Sequence, residues 1–80
     1  QRQMCIRDRI TELAHCIDPA LSIHDFRMVP GPTHTNLIFD VVTPFGFRLE
    51  DAEVARQLRA LIRTFDSHYV PVIQVEHSYI

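Results

Sequence analysis

The stretch S-I-H-D-F-R-M-V-P-G-P-T, residues Ser22 to Thr33, decides the fold of this chain. It begins as a strand rich in apolar residues. Its Pro-Gly-Pro sequence then predicts a sharp reversal, because proline fixes φ and glycine admits positive φ. The run T-N-L-I-F-D-V-V-T, residues 35–43, is β-branched and aromatic, which is typical of a second strand. The two strands are therefore expected to pair as an antiparallel hairpin.

Two helices and a third strand flank this hairpin. Apolar side chains recur at intervals of three and four in residues 8–17, which predicts a short amphipathic helix. Residues 50–65 show the strongest helical pattern, and residues 70–77 are typical of a third strand. The order αββαβ predicts an α+β fold, a mixed three-stranded sheet with both helices on one face. The other face is expected to be bare, which favours a second copy of the domain or a ligand.

Composition limits the class of protein. The chain has 80 residues, enough for one small domain whose core is marginal without a partner or a metal. The formal charge is −2 and the 8 basic residues are scattered arginines, which argues against a nucleic-acid partner. No apolar run of about 18 residues is present, so this piece is expected to be soluble. Cys5 and Cys16 form no C-x-x-C pair, and a reducing cytoplasm is the expected compartment.

The N-terminal segment QRQMCIRDR, residues 1–9, differs from the rest of the chain. It shows neither a helix nor a strand period, and it lacks the apolar core of a signal peptide. We interpret it as a non-native or disordered segment, the alternative being a frayed native N-terminus. The domain itself is assigned to residues 10–80.

Alternation along the first strand predicts where its ionisable side chains lie. His24, Phe26 and Met28 are expected on one face, and Asp25 and Arg27 on the other, where they would form an ion pair that holds the strand register. The same alternation disfavours a hydrolase or lyase that uses His24 with Asp25, because the two side chains would point to opposite faces. This hydrolase or lyase interpretation is therefore disfavoured.

Five side chains of metal-ligand type lie on strands or at element ends: His24, Asp40, Asp51, Glu76 and His77. Imidazole nitrogen and carboxylate oxygen together suit divalent zinc, manganese or iron(II). The alternative from the residues alone is a hydrogen-bonded structural histidine among solvated acids. Both interpretations stay open at this point.

Several segments together carry a family resemblance. The H-D-F-R strand with its P-G-P-T turn is followed by N-L-I-F-D-V-V-T-P, then by the helix E-D-A-E-V-A-R-Q-L-R-A-L-I, and then by V-I-Q-V-E-H-S-Y-I. Over residues 10–80 this series resembles the C-terminal cytoplasmic domain of cation diffusion facilitator (cation efflux) transporters. The resemblance implies a ferredoxin-like, metallochaperone-like αββαβ domain. In the complete protein, a membrane domain would precede it and exchange divalent metal for protons.

The resemblance also implies a role, which is not that of an enzyme, and a set of ligands. This domain would lie at the cytoplasmic face of the membrane, pair with its twin as a homodimer, and in several members bind a regulatory metal at that interface. His24 occupies a ligand position of the family directly, whereas Asp40 and Asp51 lie near positions that carry histidine. Glu76 or His77 would serve in the last strand. Because these donors are rich in oxygen, a harder ion such as manganese or iron(II) is expected if the site is retained.

A second interpretation belongs to a different class. A free-standing ferredoxin-like module that binds a metal or a small ligand would have the same order of helices and strands. A reading frame that extends upstream into several apolar segments would favour the transporter domain, whereas a start codon near Met4 would favour the free-standing module.

Overall fold

The computed structural model describes residues 5–78 of the chain. The elements follow in the order α1 (Ile6–Ile17), β1 (Ser22–Pro30), β2 (Thr35–Pro44), α2 (Asp51–Phe65) and β3 (Tyr69–Ser78). β1 and β2 pair antiparallel and β2 and β3 pair parallel, so the sheet is mixed, with the strand order β1-β2-β3. The predicted α+β class, the order αββαβ and the hairpin are confirmed.

The first helix begins earlier than the sequence pattern predicts. α1 starts at Ile6, so residues 6–9 belong to a helix and not to an irregular segment. Ile6 packs against the core, and the guanidinium carbon of Arg9 lies 5.6 Å from the centre of the Phe65 ring. These tertiary contacts stabilise a helical turn that has no clear periodicity of its own. The other part of the predicted N-terminal segment, residues 1–4, lies outside the described residues.

One hydrophobic core lies between the helices and one side of the sheet. The odd-numbered side chains of β2 are buried: Thr35, Leu37, Phe39, Val41 and Thr43. The helices add five buried side chains: Ile10, Ala14, Val54, Leu58 and Ile62. The even-numbered side chains of β2 are only half-buried, and no helix or strand within residues 5–78 packs over them. We call this side of the sheet the open face.

A β-bulge interrupts the first strand in its charged region. His24 pairs with Asp40 and Arg27 pairs with Ile38, so two residues of β1 lie opposite the single residue Phe39. Asp25, inside the bulge, has a φ of 55°, which is the left-handed region. A bulge of this kind adds one residue to a strand and reverses the alternation beyond it.

The bulge corrects two predictions for β1. The prediction that His24, Phe26 and Met28 share one face is wrong. The added residue turns Phe26 toward the helices, where its ring stacks on Phe39 with 6.1 Å between the ring centroids. Arg27 instead shares the open face with His24. The predicted ion pair between Asp25 and Arg27 is also absent from residues 5–78.

Substitution of Asp25 tests the bulge. Glycine adopts positive φ without a steric cost, so Asp25→Gly is expected to raise the free energy of unfolding by up to about 1 kcal/mol. The β-branched side chain of valine is disfavoured there, so Asp25→Val is expected to lower it by about 1–2 kcal/mol. Urea denaturation measures both values, and equal stability of the two variants would contradict the left-handed conformation.

The first turns of α2 contain a carboxyl group, that of Glu53, which makes the stability of the fold depend on pH. The Glu53 carboxylate accepts hydrogen bonds from the guanidinium of Arg56 and, at 2.7 Å, from the side-chain amide of Gln57. These bonds, that from Arg56 first, lower the pKa of Glu53 from 4.5 to about 2. Because this pKa is depressed in the folded protein, the stabilisation is complete above the ordinary pKa and is lost as pH falls toward the folded value.

We therefore expect the free energy of unfolding to decrease as the pH is lowered from 4.5 to about 2, with a contribution from Glu53. Glu53→Gln removes the titrating carboxyl, so the slope of stability against pH in this window is expected to be smaller. Urea denaturation at several pH values measures the slopes, and NMR titration of the Glu53 carboxyl measures its pKa directly. An unchanged slope in the variant would contradict the assignment.

Candidate functional site

The open face is divided into an apolar half and a polar half. Strand register places four apolar side chains in the first half, beside Arg27 and Asn36: Val29, Ile38, Val70 and Val72. The polar half carries His24, Asp40, Gln74 and Glu76. Val29 and Val72 are 48% and 49% exposed, which is high for valine in a small domain. The two halves therefore offer different chemistry to a partner or a ligand.

The hairpin brings two of the predicted metal ligands together. His24 on β1 and Asp40 on β2 are direct cross-strand partners, and Glu76 lies on the same face of the sheet, opposite Val42. A shallow depression of about 580 Å³ is lined by these three side chains and by His77. The Nε2 atom of His24 lies 3.1 Å from the Ser22 hydroxyl, and the His24 side chain is exposed.

The other two predicted ligands, Asp51 and His77, bind each other, so His77 lines the depression but directs its ring nitrogens to other partners. His77 faces the helix side of β3, where its Nε2 lies 2.9 Å from one carboxylate oxygen of Asp51 in the first turn of α2. Its Nδ1 lies 3.1 Å from the hydroxyl of Thr43, which is buried and also donates to the backbone carbonyl of Glu76 at 3.3 Å. These bonds attach the end of β3 to the start of α2.

The positions of the five predicted ligands show whether a single chain can bind a metal ion. Protein sites for zinc or manganese need three or more convergent donors. In the described part of the chain, no group of three or more histidine, cysteine, aspartate or glutamate side chains is placed to hold a metal. The five predicted ligands lie in two sets, one on the open face and one at the start of α2. The described residues of a single chain therefore do not fit a resident metal ion.

Sequence reasoning missed the pairing of threonine with histidine at the two ends of β2. The Thr43 contact with His77 has a counterpart at the other end, where the Thr35 hydroxyl lies 3.1 Å from Nε2 of His68. Both threonines are odd-numbered residues of β2, whose side chains are buried. A buried hydroxyl in a central strand requires a hydrogen-bond partner, so the two threonines in this strand could have indicated such contacts from the sequence.

Comparison with protein-family models, with curated proteins and with solved structures gives no match to this chain. Within residues 5–78, neither helix has the length and apolar character needed to cross a membrane.

A double-mutant cycle tests the bonds around Thr43. Thr43→Val preserves the shape of the side chain but removes the hydroxyl that contacts His77. We therefore expect Thr43→Val and His77→Ala to show a coupling energy of about 0.5–1.5 kcal/mol in urea denaturation. Thr35→Val with His77→Ala is the matched control, and the effects of these distant changes are expected to add. Additive effects in both pairs would contradict the bond.

Proposed function

We propose that this chain is the C-terminal cytoplasmic dimerisation and regulatory domain of a divalent cation efflux transporter of the cation diffusion facilitator family. The observation that carries the proposal is the one-sided sheet: both helices cover one face, and the other exposes His24, Asp40 and Glu76 beside apolar side chains. The αββαβ order of the fold agrees with what the sequence resemblance implies.

The size of the domain supports pairing with a second copy. A domain of 80 residues buries a small core, and association adds buried surface that one copy does not provide. Exposed apolar side chains such as Val29 and Val72 favour such a contact. In a transporter, attachment to a shared membrane domain would raise the effective concentration of the two copies and strengthen the contact further.

Regulation in this proposal is a matter of binding and not of catalysis. A ligand changes the equilibrium between two arrangements of paired domains only if its affinity for them differs. The exchange of metal for protons is assigned to a membrane domain elsewhere in the full protein. The domain described here would report on the cytoplasm and influence the arrangement of the two subunits.

A free-standing metal-binding or small-ligand module remains the second candidate. Exposed His24 and half-buried Asp40 line a depression that is accessible in a single copy, and this favours direct binding of a ligand. The upstream reading frame separates the two candidates. Apolar segments of about 20 residues there would support the transporter domain.

Metal titration tests the sensing role. One chain does not provide three convergent donors, so binding of zinc or manganese requires donors from both copies. We expect heat of binding in isothermal titration only at protein concentrations where sedimentation equilibrium shows a dimer. His24→Ala is expected to abolish this heat. The matched control is His34→Ala, because His34 contacts Thr33 in the hairpin connection and not the open face.

The outcomes separate sensing from pairing. The absence of heat with either ion, or equal heat in His24→Ala and the unsubstituted protein, would contradict the sensing role. Pairing of two copies would be unaffected by that result, because sedimentation equilibrium measures it independently.

A further inference from the structure

The two ends of the domain are distinguished by the elements that meet there. At one end, the first turn of α1 meets the last turn of α2, where the guanidinium of Arg9 lies over the Phe65 ring. The hairpin connection lies at the same end, because Thr35 at the start of β2 donates its N–H to the carbonyl of His68. We call this the hairpin end and define it by three ranges: residues 5–9, 30–35 and 59–69.

Arginines that are scattered along the sequence come together at the hairpin end. Arg7 lies in the first turn of α1, and Arg59 and Arg63 lie in the last two turns of α2. All three side chains are exposed, and none of them forms a salt bridge within residues 5–78. With Arg9 they outnumber the acids of this end, Asp8 and Asp66. The hairpin end is therefore locally basic, although the whole chain is not.

The opposite end of the domain carries the reverse charge. Five carboxyl groups lie after α1, at the start of α2 and near the end of β3: Asp18, Glu50, Asp51, Glu53 and Glu76. The two arginines of that end, Arg48 and Arg56, each form a salt bridge with one of these acids. β3 connects the two ends over 10 residues, a distance of about 30 Å. Because the Debye length is about 8 Å at physiological salt, the acidic end does not cancel the field of the hairpin end.

An exposed aromatic side chain lies among the arginines of the hairpin end. Phe65 is 42% exposed, and its ring stacks on Tyr69 with 6.3 Å between the ring centroids. The guanidinium carbon of Arg9 lies 5.6 Å from the centre of the same ring. Aromatic rings beside basic side chains are typical of surfaces that meet lipid headgroups, where the ring reaches the interface and the cation meets phosphate.

We propose that the hairpin end contacts the anionic phospholipid headgroups of a membrane. The inference rests on the proposed function, in which a membrane domain precedes this chain. Attachment would then run through the start of α1, which belongs to the hairpin end, so this end would face the bilayer. Attachment also raises the local concentration of lipid, so a few arginines suffice to orient the domain.

This orientation leaves the candidate ligands accessible. His24, Asp40 and Glu76 lie in the half of the sheet that is directed away from the hairpin end. Headgroup contact at the hairpin end would therefore cover none of them. A ligand or a second copy of the chain can reach the open face while the domain lies against the membrane.

Sedimentation with lipid vesicles tests the contact. We expect the chain to bind vesicles that contain phosphatidylglycerol more strongly than vesicles of phosphatidylcholine alone, and we expect the difference to decrease as salt is added. Equal binding to both kinds of vesicle, or binding to neither, would overturn the proposal. Binding to poly-glutamate without this lipid preference would also overturn it, because the surface would then fit an acidic protein partner.

Charge variants separate the basic end from the net charge of the chain. Arg63→Gln is expected to lower the vesicle partition coefficient about fivefold, and Arg7→Gln to lower it by a similar factor. Ala52→Glu is the matched control. It lowers the net charge by the same amount as Arg63→Gln, but Ala52 is exposed in the first turn of α2 at the opposite end, so we expect binding to be unchanged. Equal loss of binding in Arg63→Gln and Ala52→Glu would contradict the proposal.

NMR measures the orientation directly. A gadolinium chelate attached to the vesicle headgroups is expected to broaden the amide signals of residues 5–9 and 30–35 more than those of residues 18–21 and 76–78. The reverse order of broadening would overturn the proposal.

The proposed function fails or holds by a different observation. The upstream reading frame decides whether a membrane domain precedes the chain, and vesicle binding does not affect that result. Apolar upstream segments together with the absence of a lipid preference would overturn the headgroup contact and leave the proposed function intact.

Discussion

Burial of one side of β2 is the constraint on which the rest of the structure depends. The strand alternates without interruption from Thr35 to Pro44, so every second side chain enters the core and every other one points to the open face. Both helices occupy the core side, because that is where the apolar stripe of the sheet lies. The other side holds the candidate ligands His24, Asp40 and Glu76, and no helix or strand within residues 5–78 covers it.

The bulge at Asp25 determines which side chains of β1 belong to each side of the sheet. It lets Phe26 join Phe39 in the core while His24 and Arg27 remain on the open face. A regular strand would have placed His24 and Phe26 together. The bulge therefore leaves the cross-strand pair of His24 and Asp40 in place and changes which side chains beyond it reach the core.

The two sets of donors have different consequences. His77 and Asp51 stabilise the junction of β3 with α2, with Thr43 as a third member. His24 and Glu76 are exposed on the open face and Asp40 is half-buried there, and within residues 5–78 these three donors are not placed to hold a metal ion. In the proposed function, a second copy of the chain would supply the additional donors.

The sequence by itself determined the αββαβ order, the hairpin and the location of each element to within a few residues. Hydrophobic period and turn chemistry are local, so residues such as Pro30, Gly31 and Val54 carry that information. Tertiary structure alone decided the bulge at Asp25, the helical state of Ile6 and the His77 contact with Asp51. Each depends on a partner distant in sequence: Asp51 is 26 residues from His77, and no local pattern encodes such a contact.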